Sequence, residues 1–320
     1  MADFRTGFLA DVFDPVSPAH IRLCRNAMQE MNLHRVLMVL SDTKSISPLA
    51  KHKDRWRMLV AACAGDTDLI PVDLPSSSLG NLKKLFPDDK LCKIGALSYK
   101  GNDRCPSVEE YVQVLGLYGA DQRITDGRVW IRKLFQALTA HRFAHSLAVA
   151  GTARHLAALY GEDESKAEQA GLLHDCAKCL PLREMQRIAI KNKLTDNRHV
   201  LESGALLHSI VGAFVARSEY GVTDEAVLQA IAYHNTGRAG MSRLAMCVCL
   251  GDYIEPNREP FPGLEETRAL SEISLEQSLL LSLEMTIDHV CSRGRYLHPW
   301  TSEAASWLRS LSSDQSSVIL

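Results

Sequence analysis

The strongest constraint on the fold is a change of hydrophobic periodicity near residue 125. Before it, short runs rich in Val, Leu and Phe alternate with helical patterns. The runs predict β-strands, at residues 7–13, 35–42, 68–74 and 91–99. Helical spacing covers residues 18–34 and 53–65, and Gly65 is the expected C-cap of the second helix. This alternation is typical of a mostly parallel, Rossmann-like sheet with helices on its faces.

Beyond this point the sequence predicts only helices. Residues 129–161 form one long amphipathic pattern, with apolar and small residues in steps of three and four. Further helices are expected to begin at Thr223, an N-cap followed by two acidic residues, and near Glu276 and Ser302.

Turn-forming residues cluster between Tyr118 and Arg128, which places the domain boundary there. We therefore expect an α/β domain over residues 1–125 and an all-α domain over residues 126–312. The polar residues 313–320 are expected to form a mobile tail.

Composition excludes several classes of protein. The 320 residues carry a formal net charge of −2, whereas a nucleic-acid-binding protein usually has a basic excess, so we expect no nucleic-acid partner. No run approaches the ~18 apolar residues of a membrane span, and the charged N-terminus lacks a signal-peptide core. Nine scattered cysteines indicate reduced thiols and a cytoplasmic location. A homodimer is compatible with the sequence, which does not fix the oligomeric state.

Six polar residues occupy positions in the helical half where the pattern predicts a buried face. A single buried histidine is usually a hydrogen-bonded core residue, but so many unconnected buried polar groups would cost too much free energy. Imidazoles and carboxylates together suit iron, manganese or zinc. The candidate ligands are His145, His174, Asp175, His208, His234 and Asp252.

Five segments around these residues carry a family resemblance. They read HRFAHSLAVA, AGLLHDCAKCLP, LLHSIVGAFVA, AIAYHNTGRAGMSRL and LGDYIEPNR, in this order between Ile131 and Leu280. Together they resemble the HD metallohydrolase superfamily and, within it, the YqeK-type symmetrical diadenosine tetraphosphatases. Two departures are Asn235, where Thr is common, and Gly251, where Ala is common.

The resemblance implies a centre of two divalent metal ions, expected to be iron, with Mn or Zn as alternatives, held by the six candidate ligands. It also implies cleavage of diadenosine tetraphosphate into two ADP. Asp175 is expected to bridge the ions and hold the attacking water. Lys178 is the first candidate for a phosphate contact, although a cation at a helix C-terminus would also explain it. Further substrate candidates are Thr236, Arg238 and Arg258, the two arginines being equally compatible with ordinary surface positions.

The N-terminal half resembles nucleotidyltransferases of the nicotinate mononucleotide adenylyltransferase type. The resemblance rests on Phe13, Asp14, Pro15 and His20, in FLADVFDPVSPAHIRL. Ala10 and Asp11 replace the expected glycines, and Ser17 and Ala19 replace the first residues of the H-x-G-H motif. We therefore expect a retained fold with lost or reduced transferase activity, and we interpret His20 as a capping residue rather than a catalytic one.

Three alternatives remain open. The helical domain could hydrolyse another nucleotide, the N-terminal domain could retain adenylyltransferase activity, or the chain could be a nucleotide-sensing module. His141 forms an H-x-x-x-H pair with His145, but the family pattern uses only the second histidine. Cys176 and Cys179 form a CxxC at a helix end rather than at a helix start, which favours a structural role over a redox one.

Overall fold

The computed structural model describes residues 4–41, 48–74, 79–95 and 103–316. The chain divides into two compact units, residues 1–127 and 128–320. Each unit is described by itself below.

The first unit alternates strands and helices along the chain. In chain order its elements are β1 (Arg5–Asp11), α1 (Pro18–Glu30), β2 (Arg35–Leu40), α2 (His52–Cys63), β3 (Leu69–Asp73), α3 (Leu79–Leu85), β4 (Lys90–Lys93) and α4 (Pro106–Leu115). The strands form a parallel sheet in the order β3-β2-β1-β4. The predicted α/β fold with a parallel sheet is thereby confirmed.

The sheet places the end of β1 at the reversal of strand order. β2 lies on one side of β1 and β4 on the other, and Asp11 is the last residue of β1. In open α/β sheets this carboxyl-end crevice is where ligands bind. The core beneath it is apolar, with Phe8, Leu37 and Val72 packed together.

Several predicted boundaries in this unit were wrong. Helix α2 ends at Cys63 and is capped by Ala64 in the right-handed helical region, so Gly65 is not the C-cap. Helix α1 ends at Glu30, four residues before the predicted end. Strand β4 ends at Lys93, and residues 96–99 of the predicted strand lie outside the described residues.

The second unit is helical throughout its described residues, as predicted. In chain order its helices are α5 (Gly127–Ala137), α6 (Ala140–Tyr160), α7 (Glu164–Leu173), α8 (Leu182–Lys191), α9 (Arg198–Leu201), α10 (Gly204–Tyr220), α11 (Glu225–Tyr233), α12 (Arg243–Ile254), α13 (Leu264–Ser271), α14 (Leu275–Ser292) and α15 (Pro299–Ser316). Helix α15 includes residues 313–316 of the expected tail, and residues 317–320 lie outside the described part of the chain.

Two caps differ from the sequence-based expectation. The single helix predicted over residues 129–161 is broken after α5, because the Thr139 hydroxyl accepts a hydrogen bond from the Arg142 amide and starts α6. Helix α11 is capped by Asp224, not Thr223. Its carboxylate accepts from the amides of Ala226 and Val227, and it complements the helix dipole better than a neutral hydroxyl.

Glycines set the close packing of the central helices. A Cβ on Gly171 of α7 would lie 2.8 Å from Cα of Ala150 on α6. On α12, a Cβ on Gly251 would lie 3.2 Å from the backbone nitrogen of Ala153, also on α6. Since α6, α7 and α12 carry candidate ligands, this approach brings their side chains within reach of one another.

A membrane-spanning role finds no support in the described residues. None of their helices is both long enough and apolar enough to cross a bilayer.

Candidate metal centre

The candidate ligands come from five neighbouring helices and meet in the interior of the second unit. His145 lies within α6 and His208 within α10, while His174 and His234 are the C-caps of α7 and α11. These four histidines and Asp175 are at most 3% exposed. Asp252, in the last turn of α12, is 19% exposed through its side chain, so the centre opens to solvent on its side.

Three of the imidazoles are oriented by hydrogen bonds to their own helices. Because a backbone carbonyl can only accept, the Nδ1 atom of each ring carries the proton, which leaves a lone pair on Nε2. In His208 this atom also lies 3.1 Å from the ammonium nitrogen of Lys178. The pairs are His174 with Gly171 (2.6 Å), His208 with Gly204 (3.3 Å) and His234 with Ile231 (2.7 Å).

The ligand atoms converge on two overlapping groups. Within each group they all lie within 4.8 Å of one another, and the groups are His145, His174 and Asp252, and His174, Asp175 and His234. His208 joins the second group, because its Nε2 atom lies 3.1 Å from Oδ1 of Asp175 and 3.1 Å from Nε2 of His234. The structure thus brings together all six predicted ligands.

The protonation states leave this centre rich in acceptors. Burial lowers the pKa values of His174, His208 and His234 to about 4, so these rings are neutral at pH 7. Burial alone would raise the pKa values of Asp175 and Asp252, but neighbouring imidazoles and cations hold both well below the usual range. Neutral imidazoles and ionised carboxylates form a donor set that fits a divalent cation of the iron, manganese or zinc type.

His145 has a different partner from the other histidines. Its Nδ1 atom lies 3.1 Å from Oε1 of Glu255, and its Nε2 atom lies 3.0 Å from Oδ1 of Asp252. Burial alone would lower the pKa of His145, but the hydrogen bonds to these two carboxylates raise it to about 9.

Three cations surround the carboxylates. Arg142 donates to Oδ2 of Asp175 over 2.8 Å, and Arg258 donates to Oδ1 of Asp252 over 2.6 Å. The ammonium nitrogen of Lys178 lies 3.8 Å from Oδ1 of Asp175. Their side chains are 25–34% exposed, so each cation is accessible from solvent as well as from the centre.

A cavity of about 540 Å³ is walled in part by the residues that follow His234 in the sequence. Its wall includes Thr236, a predicted substrate residue, and Asn235, whose amide donates to the carbonyl of Ala205. The aromatic residues Tyr296 and His298 also line it.

Arg238 is placed differently from the other candidates. Its guanidinium lies over the rings of Tyr233 and Trp300, at 5.1 Å and 4.9 Å from their centroids, and it donates to the Tyr233 hydroxyl. The structure therefore shows Arg238 bound to an aromatic pair and not to the ligand cluster.

The remaining histidines and the CxxC pair fall outside the cluster. His141 is exposed and belongs to neither group of ligand atoms. His199 and His298 line the cavity. Cys176 and Cys179 are free thiols, and burial raises the pKa of Cys176, so it is a poor nucleophile.

The first unit uses its motif residues for internal contacts. Nδ1 of His20 accepts from the backbone amide of Ser17, while Nε2 lies 3.7 Å from Oδ2 of Asp11. Asp14 accepts hydrogen bonds from the amide of Ala50 and from the hydroxyl of Tyr118. The contacts of His20 correspond to the capping role.

Sequence reasoning missed two residues that touch the cluster. Arg142 lies one turn before His145 on α6, so helical spacing could have indicated it. Glu255 is separated from His145 by 110 positions, and no local pattern reports that contact.

Comparison with known proteins supports both units. The HD domain family model matches residues 142–257, and the cytidylyltransferase-like model matches residues 10–142. A Bacillus subtilis protein named symmetrical bis(5'-nucleosyl)-tetraphosphatase is 41% identical over 174 residues, which is 54% of this chain and 92% of that protein.

The chain belongs to the HD-domain family that includes this tetraphosphatase. A Halalkalibacterium halodurans member with the same name is 43% identical over 51% of this chain and 87% of its own length. A solved structure from Clostridium acetobutylicum, described as a predicted HD superfamily hydrolase involved in NAD metabolism, is 39% identical. It superposes with a TM-score of 0.56 and covers 57% of this chain and 96% of its own. In this HD-domain protein the residues matched by the family model, 142–257, include all six candidate ligands.

Proposed function

We propose that this HD-domain protein is a metal-dependent hydrolase that cleaves diadenosine tetraphosphate symmetrically into two ADP. The observation that carries the proposal is the convergence of four imidazole nitrogens and two ionised carboxylates in one buried centre. The names of relatives at 41% and 43% identity support the substrate.

The arrangement supports two ion positions. His145, His174 and Asp252 would hold one ion, and His208 and His234 would hold the other. Asp175 would bridge them, because its Oδ2 faces His174 at 3.6 Å and its Oδ1 faces His208 at 3.1 Å. The mixture of imidazole and carboxylate ligands suits iron, with manganese or zinc as alternatives.

The chain's own residues would orient the reaction. When bound, the ions would supply Lewis acidity and a nucleophilic hydroxide at neutral pH. Asp175 would accept a hydrogen bond from the attacking water and direct it at phosphorus. Arg142, Lys178 and Arg258 are placed to neutralise charge that develops on the non-bridging phosphate oxygens. ADP leaves readily, so little help from an acid is needed.

The cavity beside His234 would receive one nucleoside of the substrate. Its volume of about 540 Å³ and its aromatic wall suit a purine ring with its ribose. Thr236 lines this cavity two residues after His234 and is the proposed hydrogen-bonding residue. Arg238 lies over the Trp300 ring, and Trp300 contacts His298 of the cavity wall, with ring centroids 5.0 Å apart. Arg238 would therefore act by positioning this aromatic wall.

Product analysis tests the proposal. Purified protein supplied with Fe²⁺ or Mn²⁺ should convert diadenosine tetraphosphate to ADP as the sole nucleotide product, resolved by chromatography. ATP with AMP would exclude a symmetrical cut. Hydrolysis of many different nucleotides at equal rates would instead favour a general HD phosphohydrolase.

The transferase alternative is not favoured. Asp11 places a carboxylate at the strand end where a triphosphate would lie. Nδ1 of His20 already accepts a hydrogen bond from the backbone amide of Ser17. We expect no pyrophosphate release from ATP and nicotinate mononucleotide. The net charge of −2 supports a small-molecule substrate rather than nucleic acid. A homodimer and a cytoplasmic location stay predictions.

A further inference from the structure

The four histidines of the centre differ in what holds them. His174, His208 and His234 each donate Nδ1–H to a neutral backbone carbonyl. His145 instead meets the carboxylate of Glu255, at 3.1 Å. A carboxylate acceptor makes the opposite ring nitrogen more basic than a carbonyl does. The His145 side of the centre is therefore chemically unlike the His208 side.

Glu255 is itself fixed in place. The residue is 2% exposed, and its second oxygen accepts from the backbone amide of Asn257 over 2.6 Å. Arg268 does not neutralise this carboxylate. It donates instead to the backbone carbonyls of Glu255 and Ile254, at 2.6 Å and 2.9 Å, and so anchors the end of α12.

A buried carboxylate is costly unless something compensates its charge. The imidazole of His145 provides the nearest compensation, and the charge would be better balanced still with a cation on the far side of that ring. Packing alone gives no reason for an ionisable residue here, since an apolar side chain would fill the space at lower cost.

We propose that Glu255 is a positioning residue. It holds the His145 ring with Nε2 directed at the centre, and its negative charge strengthens metal binding at the position shared by His145, His174 and Asp252. The inference rests on the metal-dependent function proposed above. It predicts that the two ion positions differ in affinity, with Glu255 acting on one of them.

Two substitutions separate orientation from charge. Glu255→Gln keeps an oxygen that can accept from Nδ1 but removes the charge, whereas Glu255→Ala removes both. The matched control is Glu272→Gln, because Glu272 also pairs with a histidine, His155, at 2.9 Å, but on the exposed surface. All variants are made in the full chain.

Metal retention is the main readout. Each protein is loaded with Mn²⁺, dialysed against rising chelator concentrations and assayed for bound metal. We expect Glu255→Gln to bind one of its two equivalents about 10-fold more weakly, and Glu255→Ala up to about 100-fold more weakly. Glu272→Gln should match the wild type.

A second readout does not involve manganese or activity. In protein loaded with Zn²⁺, the Nδ1 proton of His145 should resonate downfield by NMR, and Glu255→Gln should move it upfield. If Glu255→Ala fails to fold, Glu255→Gln carries the test by itself, since it preserves shape and volume.

The failures can be told apart. Equal metal affinities in the wild type and in both Glu255 variants would overturn this inference while leaving the hydrolase proposal intact. A wild-type protein that binds metal but releases no ADP would contradict the proposed reaction while leaving the Glu255 comparison intact.

Discussion

The Nε2 atoms of His208 and His234 face each other across 3.1 Å, although both rings donate their Nδ1 protons to the backbone. Oδ1 of Asp175 lies 3.1 Å from the first of these nitrogens and has no hydrogen-bonded proton within the described part of the chain. Lone pairs brought this close repel one another unless a positive charge lies among them. The ammonium of Lys178, 3.1 Å from Nε2 of His208, supplies part of this charge, and a bound metal ion would supply the rest.

Removing a ligand from this centre should abolish metal binding. We expect His174→Ala to lose metal and to lose more activity than the ~10–100-fold that outer partners of a metal site usually cost. The measurement is elemental analysis with ADP release, and circular dichroism confirms folding. His155→Ala, at an exposed histidine of the same unit, is the control. An active His174→Ala protein with full metal content would contradict the site assignment.

Arg142 should contribute to substrate binding without holding metal. Arg142→Ala should raise KM for diadenosine tetraphosphate, and the inhibition constant of ADP, by about 10-fold, because a charge-assisted hydrogen bond to phosphate is lost. Metal content should not change. Arg154→Ala is a matched control, since Arg154 lies on the same helix, pairs with Glu164 and is exposed to a similar degree. Equal effects of the two substitutions would argue against a phosphate contact.

The close packing of α7 against α6 should make the protein less stable when Gly171 is replaced by a larger residue. Gly171→Ala would place Cβ 2.8 Å from Cα of Ala150, and we expect overpacking to cost about 1–3 kcal/mol in the free energy of unfolding. Thermal melting measures the loss. Gly80→Ala, at a helical glycine with open space around it, should have no such cost and serves as the comparison. An unchanged melting temperature for Gly171→Ala would show that α6 and α7 can move apart enough to accommodate the extra methyl group without loss of stability.

Asp89 should make the first unit sensitive to acid. Desolvation alone would raise the pKa of Asp89, but hydrogen bonds from Arg35 and Thr6, both at 2.6 Å, outweigh it and hold the pKa below the usual value. Since the folded pKa is depressed, the stabilisation is complete above the unfolded pKa of about 3.9. It is lost as the pH falls through the folded value.

An NMR titration of the Asp89 carboxyl carbon checks this directly. Its midpoint should lie below that of an unfolded Asp, and Arg35→Gln should move it upward. A midpoint that Arg35→Gln leaves unchanged would show that Arg35 does not set it.

Local pattern was sufficient for the fold class and for identifying the six residues that the structure brings together. The alternation of strand and helix before residue 125 reflects how side chains point in each element, and period 2 and period 3.6 are distinct in one dimension. His145, His208 and Asp252 each fall on a helix face that is otherwise apolar, which a linear sequence displays. The His174–Asp175 pair was visible for the same reason.

Cap positions were less predictable, because they depend on competing local bonds. Thr223 and Asp224 are both good N-cap residues. Asp224 caps the helix, because its side-chain oxygen accepts hydrogen bonds from the amides of Ala226 and Val227. The break before α6 had the same cause, since Thr139 offered a cap inside a pattern that otherwise favoured one continuous helix.

The sequence by itself determined that one α/β unit and one all-α unit would form, and that six polar residues of the second unit lie on helix faces expected to be buried. Only the tertiary structure decided which groups surround them. Glu255 reaches His145 across 110 positions, Arg142 turns toward Asp175, and the cavity beside His234 is walled by residues from separate elements. Periodicity fixes which face of a helix is buried, whereas the neighbour on that face is set by how whole helices pack.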